Sequence, residues 1–261
     1  MLYYLRVWWR LVLMSLIREA EYRLNFLLSL GEGMLQLIIA VLTFEILYRF
    51  TDEVAGWTQG QMLVLLGIYR LVEGLVNMLI APNQLTVSQL IRRGDLDFLL
   101  LRPIASQFLV STRIIRPHEG VNALIGLGLV LYASPLAGVQ WQFGNLVAAI
   151  IFMISGILLL YAIWFLSNTA LFWTQARNQD QIIPTLFQAA RYPVSFFPRM
   201  LRIGLTFVIP AAFATTFPSQ ALFGQITWPM LFIGIALALG MLLLSAGCWV
   251  FALRHYTSAS S

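Results

Sequence analysis

Apolar runs separated by short, charge-bearing segments make up this sequence. Long runs fall at 26–48, at 62–81 (closed by Pro82), at 119–137 (with Pro117 near its start), at 144–173 and at 230–253. Each is close to or above the roughly 20 residues that a helix needs to cross about 30 Å of hydrocarbon. The run at 144–173 is long enough to cross with a tilt. A further run begins near Leu201 and is interrupted by Pro210 and Pro218. The pattern predicts an all-α integral membrane protein with six transmembrane helices, in one domain covering 1–261. Residues 1–23 are different: Arg6, Arg10, Arg18 and Glu21 share one sector of a helical wheel and apolar residues fill the rest. That distribution predicts a helix lying in the membrane interface. Charges run through this stretch and no small-residue cleavage site follows, which argues against a signal peptide.

Composition agrees with the pattern. Of the 261 residues, 60% are hydrophobic and 10% charged, against about 25% charged in soluble domains. Long continuous runs favour helices over the short alternating segments of a β-barrel. All sixteen basic residues are arginine. Without lysine there is no G-x-x-x-x-G-K-[ST] loop for ATP and no Schiff-base chemistry. Cys248 is the single cysteine, which excludes an intramolecular disulfide and a Cys/His metal cluster; in its apolar run it reads as a small buried hydrophobe. His118-Glu119 begins an H-E pattern, but Asn122 stands where a second histidine would have to be. Neither a catalytic residue nor a metal site is expected.

The arginines are informative through their positions. Four precede the first run, five (Arg92, Arg93, Arg102, Arg113, Arg116) lie between the second and third, four (Arg177, Arg191, Arg199, Arg202) between the fourth and fifth, and Arg254 follows the sixth. With six spans these fourteen face one side, and the positive-inside rule makes that side, with both termini, cytoplasmic. The net charge of +5 is thus topological, and nucleic acid is not an expected partner. Trp57, Trp141 and Trp228 are expected at the opposite membrane interface.

Residues 90–103, LIRRGDLDFLLLRP, fall on the cytoplasmic side. Arg92, Arg93, Asp95 and Asp97 suit a solvated loop. Leu96, Phe98, Leu99, Leu100 and Leu101 do not, and an apolar patch rimmed by charge is a docking surface. Gly94-Asp95-Leu96-Asp97-Phe98-Leu99-Leu100-Leu101-Arg102-Pro103 resembles the G-[small/acidic]-L-[acidic]-x-L-L-x-x-P signature in the coupling helix of type-2 ABC exporter permeases. ARYPVSFFPRMLRIGLTFVIPAAFATTFPSQAL, residues 190–222, is similar to a second block of one bacterial branch of that family. There Arg191-Tyr192-Pro193, Pro198, Pro210-Ala211-Ala212-Phe213 and Pro218 are the matching points.

The resemblance implies a six-span permease subunit in a bacterial inner membrane, surrounded by lipid. It implies a coupling helix at 84–103 between spans two and three, bearing Arg92 to Leu100 and Pro103. It implies a re-entrant gate at 211–227, bearing Pro210, Phe213 and Pro218. The expected partners are a second permease chain, identical or homologous, and two copies of a separate ATP-binding subunit. ATP and magnesium are expected on that subunit, with no cofactor on this chain.

Charges inside the spans complete the reading. Each costs roughly 2.5–3.5 kcal/mol on insertion scales unless paired or hydrated. Arg70 and Glu73 share a face of the second span; Glu32 and Glu45 lie on the first. They form either a self-neutralising structural set or a polar site on a transport path, and Arg70 has both Glu45 and Glu73 as candidate partners. A stand-alone secondary transporter or channel, and a membrane scaffold or assembly factor, are the alternatives to the permease.

Overall fold

The computed structural model describes residues 2–20, 23–174, 181–226 and 228–255. Glu21, Arg177 and Thr227, and the side chains of Arg18, Arg23, Arg92 and Arg93, lie outside the described set. Helices α1 (Leu2–Ala20) and α2 (Arg23–Tyr48) are followed by a hairpin, β1 (Glu53–Val54) with β2 (Trp57–Thr58). Its turn, Ala55-Gly56, has positive φ at both positions, as a two-residue hairpin of matching twist requires. Next come α3 (Gln59–Leu79), α4 (Ala81–Arg93), α5 (Asp97–Leu100), α6 (Ser106–Thr112) and α7 (Gly120–Ala133). Then follow α8 (Phe143–Thr169), α9 (Leu171–Thr174), α10 (Ile182–Phe187), α11 (Arg199–Ile203), α12 (Phe217–Leu222) and α13 (Trp228–Arg254).

The protein is an all-α membrane protein. Among the described residues, Phe26–Tyr48, Gln59–Leu79, Phe143–Thr174 and Trp228–Arg254 are long and apolar enough to cross a membrane. The bent pair Arg199–Val208 and Ala212–Leu222, taken as one span, would be a fifth, so the six expected spans are not all present as long helices among the described residues. The third expected span is the 14-residue α7, with one 3-10 turn at Pro117–Glu119 before it.

Helix α3 is the centre of the bundle. Of its most apolar window 67% is buried, against 6% for α2. Thr58 and Gln61 close its start as a capping box. Gly60, Gly67 and Gly74 recur every seven residues and form one stripe along it. A Cβ on Gly74 would meet the Ala123 backbone, one on Gly67 would meet Gly126 and Val130, and one on Gly60 would meet Leu136 and Ala137. Small residues let helix backbones approach closely where lipid offers no hydrophobic drive between helices. Helix α7 and the turn after it therefore accompany α3 antiparallel over about 21 Å, at 1.5 Å per residue.

The fifth expected span is replaced by a different path. From Asn77 and Trp164, which share a cavity with Ile183, the chain runs along α3. Phe187 packs on Tyr69, Tyr192 on Phe44, and Ser195 accepts a hydrogen bond from Trp57 Nε1 at 3.1 Å. Residues 182–197 thus traverse the bundle in short helical pieces, through Pro184 and Pro193. Such backbone is tolerated at membrane depth where protein buries it. Thr215 donates to the Ala190 carbonyl and Thr216 accepts from Val194 N–H.

Residues 199–222 then return to the end they start from. Arg202 donates to the carbonyls of Ser195 and Phe197. Phe223, at the far end of the segment, packs edge-on against the same Trp57 ring at 5.9 Å, and Leu222 accepts a hydrogen bond from Gln140 N–H. Between them the chain bends by 79° at Ile209-Pro210, where Ile209 is extended (φ −122°, ψ 92°). Pro218 breaks nothing: it sits in the first turn of α12, directly after a π-helical turn at Ala212–Thr216. The helical pieces therefore extend to Leu222, inside the 211–227 segment.

This path corrects the arginine topology. Arg199 and Arg202 lie near the Trp57 end, opposite α4, and Arg191 lies beside Tyr69 inside the bundle. Trp57 is buried, while Trp141 and Trp228 are exposed. Cys248 is half-buried.

The opposite end has its own core, made of Val87, Leu96, Leu99, Leu109, Val110, Phe165 and Trp249. Helix α1 meets this end through Tyr4 on Phe108, and α13 reaches it through Trp249, which donates to Ser106 at 3.0 Å.

The two-ended geometry has a labelling consequence. On a Cys248→Ser background, Arg199→Cys and Gln142→Cys should react with a membrane-impermeant maleimide from one side of the membrane, and Arg102→Cys only from the other. Reaction of Arg199→Cys together with Arg102→Cys would restore a crossing through 201–217 and remove the re-entrant path.

Candidate functional site

Two regions collect the functional candidates. The first is the apex made by α4 and α5. Helix α4 follows α3 after one residue, Ile80. Asn83 holds the joint: its Nδ2 donates to the carbonyls of Leu79 and Ile114, and its Oδ1 accepts from Ile114 N–H. Asn168 of α8 donates to both the backbone carbonyl and the side-chain oxygen of Gln84. Gly94 ends α4 at φ 74°, a left-handed C-cap that glycine adopts without a Cβ penalty, and the chain turns into α5.

The turn divides the apolar residues of the motif. Leu96 is 0% and Leu99 5% exposed, inside the core at the α4–α5 end, whereas Phe98 is 73% and Leu101 84% exposed. Phe98 and Leu101 are three apart and share a face of the turn. Asp95, Arg102 and Pro103 are exposed around them, with Asp97 and Leu100 partly buried. The sequence expectation put Leu96 and Leu99 on the docking surface; both are instead the chain's own core, because a four-residue helix offers one face to the protein and one to its surroundings. Arg92 and Arg93 close α4, and their side chains lie outside the described set.

The second region is polar and lies at mid-depth. Arg70 is 6% exposed. Its Nη1 donates to Glu73 Oε2 and to Gln36 Oε1, each at 2.9 Å. Tyr69 donates to the other Glu73 oxygen at 2.7 Å, and Gln36 Nε2 donates to Glu32. Glu73 is therefore the partner of Arg70, and Glu45 pairs with the exposed Arg49 at 3.3 Å. The guanidinium of Arg191 stands 5.5 Å above the Tyr69 ring, a cation–π distance.

A cavity of about 440 Å³ lies between α2, α3 and residues 188–192, walled by Gln36, Tyr69, Arg70, Glu73, Arg191 and Tyr192 among others. A second, of about 220 Å³, adjoins it across Tyr69, Glu73 and Gln188 and reaches Trp164. Sequence reading had Arg70, Glu73, Glu32 and Glu45 but missed Gln36, Tyr69, Gln188 and Trp164. Gln36 had a signal, as a polar residue four after Glu32 in an apolar run. Arg191 and Tyr192 were noted as motif residues but placed at the wrong depth.

Phe213 is fully buried against Phe152 and Phe217, and a Cβ on Gly234 of α13 would meet its ring. With the buried Pro210 and Pro218, it anchors the bent segment 199–222. Glu119 accepts from Asn122 and lies 3.7 Å from His118. Among the described residues no group of three His, Cys, Asp or Glu is placed to hold a metal.

These features define a polytopic helical membrane protein with a polar interior and an apolar apex at one end. A family model described as ABC-2 family transporter protein matches residues 34–260, and the chain belongs to that family. Its members are in general the non-catalytic membrane components of ABC transporters and associate with an ATP-binding subunit. No curated protein and no solved structure matches the chain significantly.

The buried pair gives a stability prediction. Arg70→Ala leaves Glu73 without its cation and should destabilise the purified protein by about 3–5 kcal/mol, as breaking a buried pair does. Adding Glu73→Ala should recover a substantial part of that loss in a denaturant or thermal series. Strictly additive losses would show that the two residues are not coupled.

Proposed function

We propose that this chain is the path-forming permease of an ATP-driven exporter. Its apex docks on one of two copies of a separate ATP-binding subunit, and a second permease chain, identical or homologous, docks on the other copy and completes the assembly. The reading places the complex in a bacterial inner membrane with both termini cytoplasmic and six traverses per chain, α7 and residues 182–197 being the two that lack a long helix. ATP and magnesium are held by the partner subunits; this chain performs no chemistry.

The observation that carries the reading is the division of the apex. A fully solvated loop has no use for a buried base of Leu96 and Leu99 beneath a projecting Phe98 and Leu101. A firmly seated apolar tip suits insertion into a groove, and aromatic residues are frequent energetic anchors at interfaces. Asp95, Arg102 and the Arg92-Arg93 pair form the rim, where charge sets encounter rate and register more than affinity. A stand-alone carrier or channel has no need of such a tip.

Transmission follows from the hydrogen bonds. Closure of the ATP-binding subunits moves the tip; Asn83 passes the displacement to the end of α3, and Gln84 with Asn168 passes it to α8. At the other end, the re-entrant segment bent at Pro210 and seated by Phe213 and Pro218 acts as the outer gate. Its two ends meet at Trp57, so a shift of α3 acts on both. The apolar outer face of α2 is covered by lipid and by the second permease chain.

Phe98→Ala combined with Leu101→Ala should leave the chain folded and inserted but reduce co-purification of the ATP-binding subunit by tenfold or more, the effect of losing about 1.4 kcal/mol or more. Leu96→Ala should lower stability by about 2–5 kcal/mol, as a core truncation does. Full assembly by the Phe98/Leu101 variant would remove the docking role from this tip.

A further inference from the structure

We propose that the mid-depth cavity is an oxyanion site: Arg70 and Arg191 bind the single phosphate or carboxylate of an amphipathic solute whose apolar body lies against α2. The proposal deepens the permease reading and rests on it for the claim that the bound group is cargo.

The hydrogen-bond inventory leads to this assignment. Arg70 uses Nη1 for Gln36 and Glu73, but its Nε has no partner although the residue is 6% exposed. Arg191 Nε is likewise buried and unpartnered. In the adjoining cavity the indole N–H of Trp164 is a third orphan, on a residue 2% exposed. Buried donors are nearly always satisfied, and leaving them bare costs free energy. All three orphans of these two cavities are donors, so the missing partner is rich in acceptors. Two of the three are guanidinium groups, whose geometry matches phosphate and carboxylate.

Charge points the same way. Arg70, Arg191 and Glu73 are the charged residues of the larger cavity's wall, which leaves one positive charge uncompensated there. Glu32 is exposed and bonds the far side of Gln36; it is not part of the wall. One monoanion restores neutrality in a setting where net charge is expensive.

The volume and the rim specify the rest of the ligand. About 440 Å³ falls within the range of small-molecule sites and exceeds what one headgroup fills. Ile39, Ala40, Phe44 and Leu66 also line it, and Gln36, Ile39 and Thr43 of α2 are exposed at its edge. The site therefore opens along the apolar face of α2, where an acyl or other hydrophobic body meets surroundings like itself.

The test is binding by the full-length chain in dodecyl maltoside, followed by tryptophan fluorescence. Dodecyl phosphate should give a saturable change, inorganic phosphate should bind at least about tenfold more weakly for want of apolar contacts, and dodecyltrimethylammonium should give none. Arg70→Gln and Arg191→Gln should each weaken dodecyl phosphate binding by about tenfold to a hundredfold. Arg191 is half-buried and outside the Glu73 pair, so Arg191→Gln keeps the test open if Arg70→Gln fails to fold. Trp164→Phe should remove most of the signal, and Glu45→Gln should leave binding unchanged. Phosphatidic acid that displaces dodecyl phosphate assigns the site to a membrane lipid; failure to displace it assigns the site to a separate amphiphile, and both agree with an oxyanion site. Equal binding of the cationic detergent, or wild-type affinity in Arg191→Gln, would overturn it. No ATP-binding subunit takes part in this assay, so its failure leaves docking at Phe98 standing, and failure of docking leaves the binding result standing.

Discussion

A buried helix carrying a charged pair has to be enclosed on every side, and α3 is that helix. Arg70 cannot face hydrocarbon uncompensated, so the protein supplies Glu73, itself held by Tyr69 of the same helix, and Gln36 from α2. The other side of α3 is closed by glycine. Gly60, Gly67 and Gly74 bring α7 so near that a methyl group at any of the three would strike backbone. With one face sealed this tightly, the polar face is the one left with space, and the cavities lie there.

In the permease proposed above, a signal crosses the bundle through the two ends of α3. At one end Ile80 and Asn83 join it to the apex, and Asn168 ties the same apex to α8. At the other end Trp57 receives Ser195 and Phe223, the start and finish of the re-entrant segment, while its carbonyl accepts from Tyr48 of α2. On the proposed reading, a rigid rod with a docking tip at one end and the seat of a bent segment at the other is a mechanical link. The coupling needs no wire of side chains through the middle, although the Arg70 network lies where such motion would be felt.

Much of this was legible in the residues. The runs at 26–48, 144–173 and 230–253 are long and predominantly apolar and became helices with nearly those bounds, because length and hydropathy decide a span that faces lipid. The three-residue spacing of Arg70 and Glu73 put them on one face, but Glu45 stayed open as a partner until the structure gave Arg70 to Glu73 and Glu45 to Arg49. Residues 182–197 defeated the reading. They carry Pro184, Pro193 and two arginine-flanked ends, so they resemble a loop, and only burial against α3 and α8 lets such backbone run at depth. Taking 201–217 as the crossing then put Arg199 and Arg202 at the wrong end. In LIRRGDLDFLLLRP the apolar content was plain, but which leucines face inward was not. The left-handed cap at Gly94 sets the direction of α5, and that decides that Leu96 and Leu99 are core while Phe98 and Leu101 project.

The claim on which the functional account turns is contact between the apex and an ATP-binding subunit. The direct measurement is site-specific photocrosslinking in native membranes, with p-benzoylphenylalanine placed at Phe98 and, as a control, at Phe143, which is equally exposed near the Trp57 end. The account predicts a covalent adduct from position 98 that mass spectrometry identifies as a nucleotide-binding subunit, with a yield that changes when ATP is added, and no such adduct from position 143. The absence of that subunit from the position 98 adducts, or its equal capture from position 143, would contradict the account.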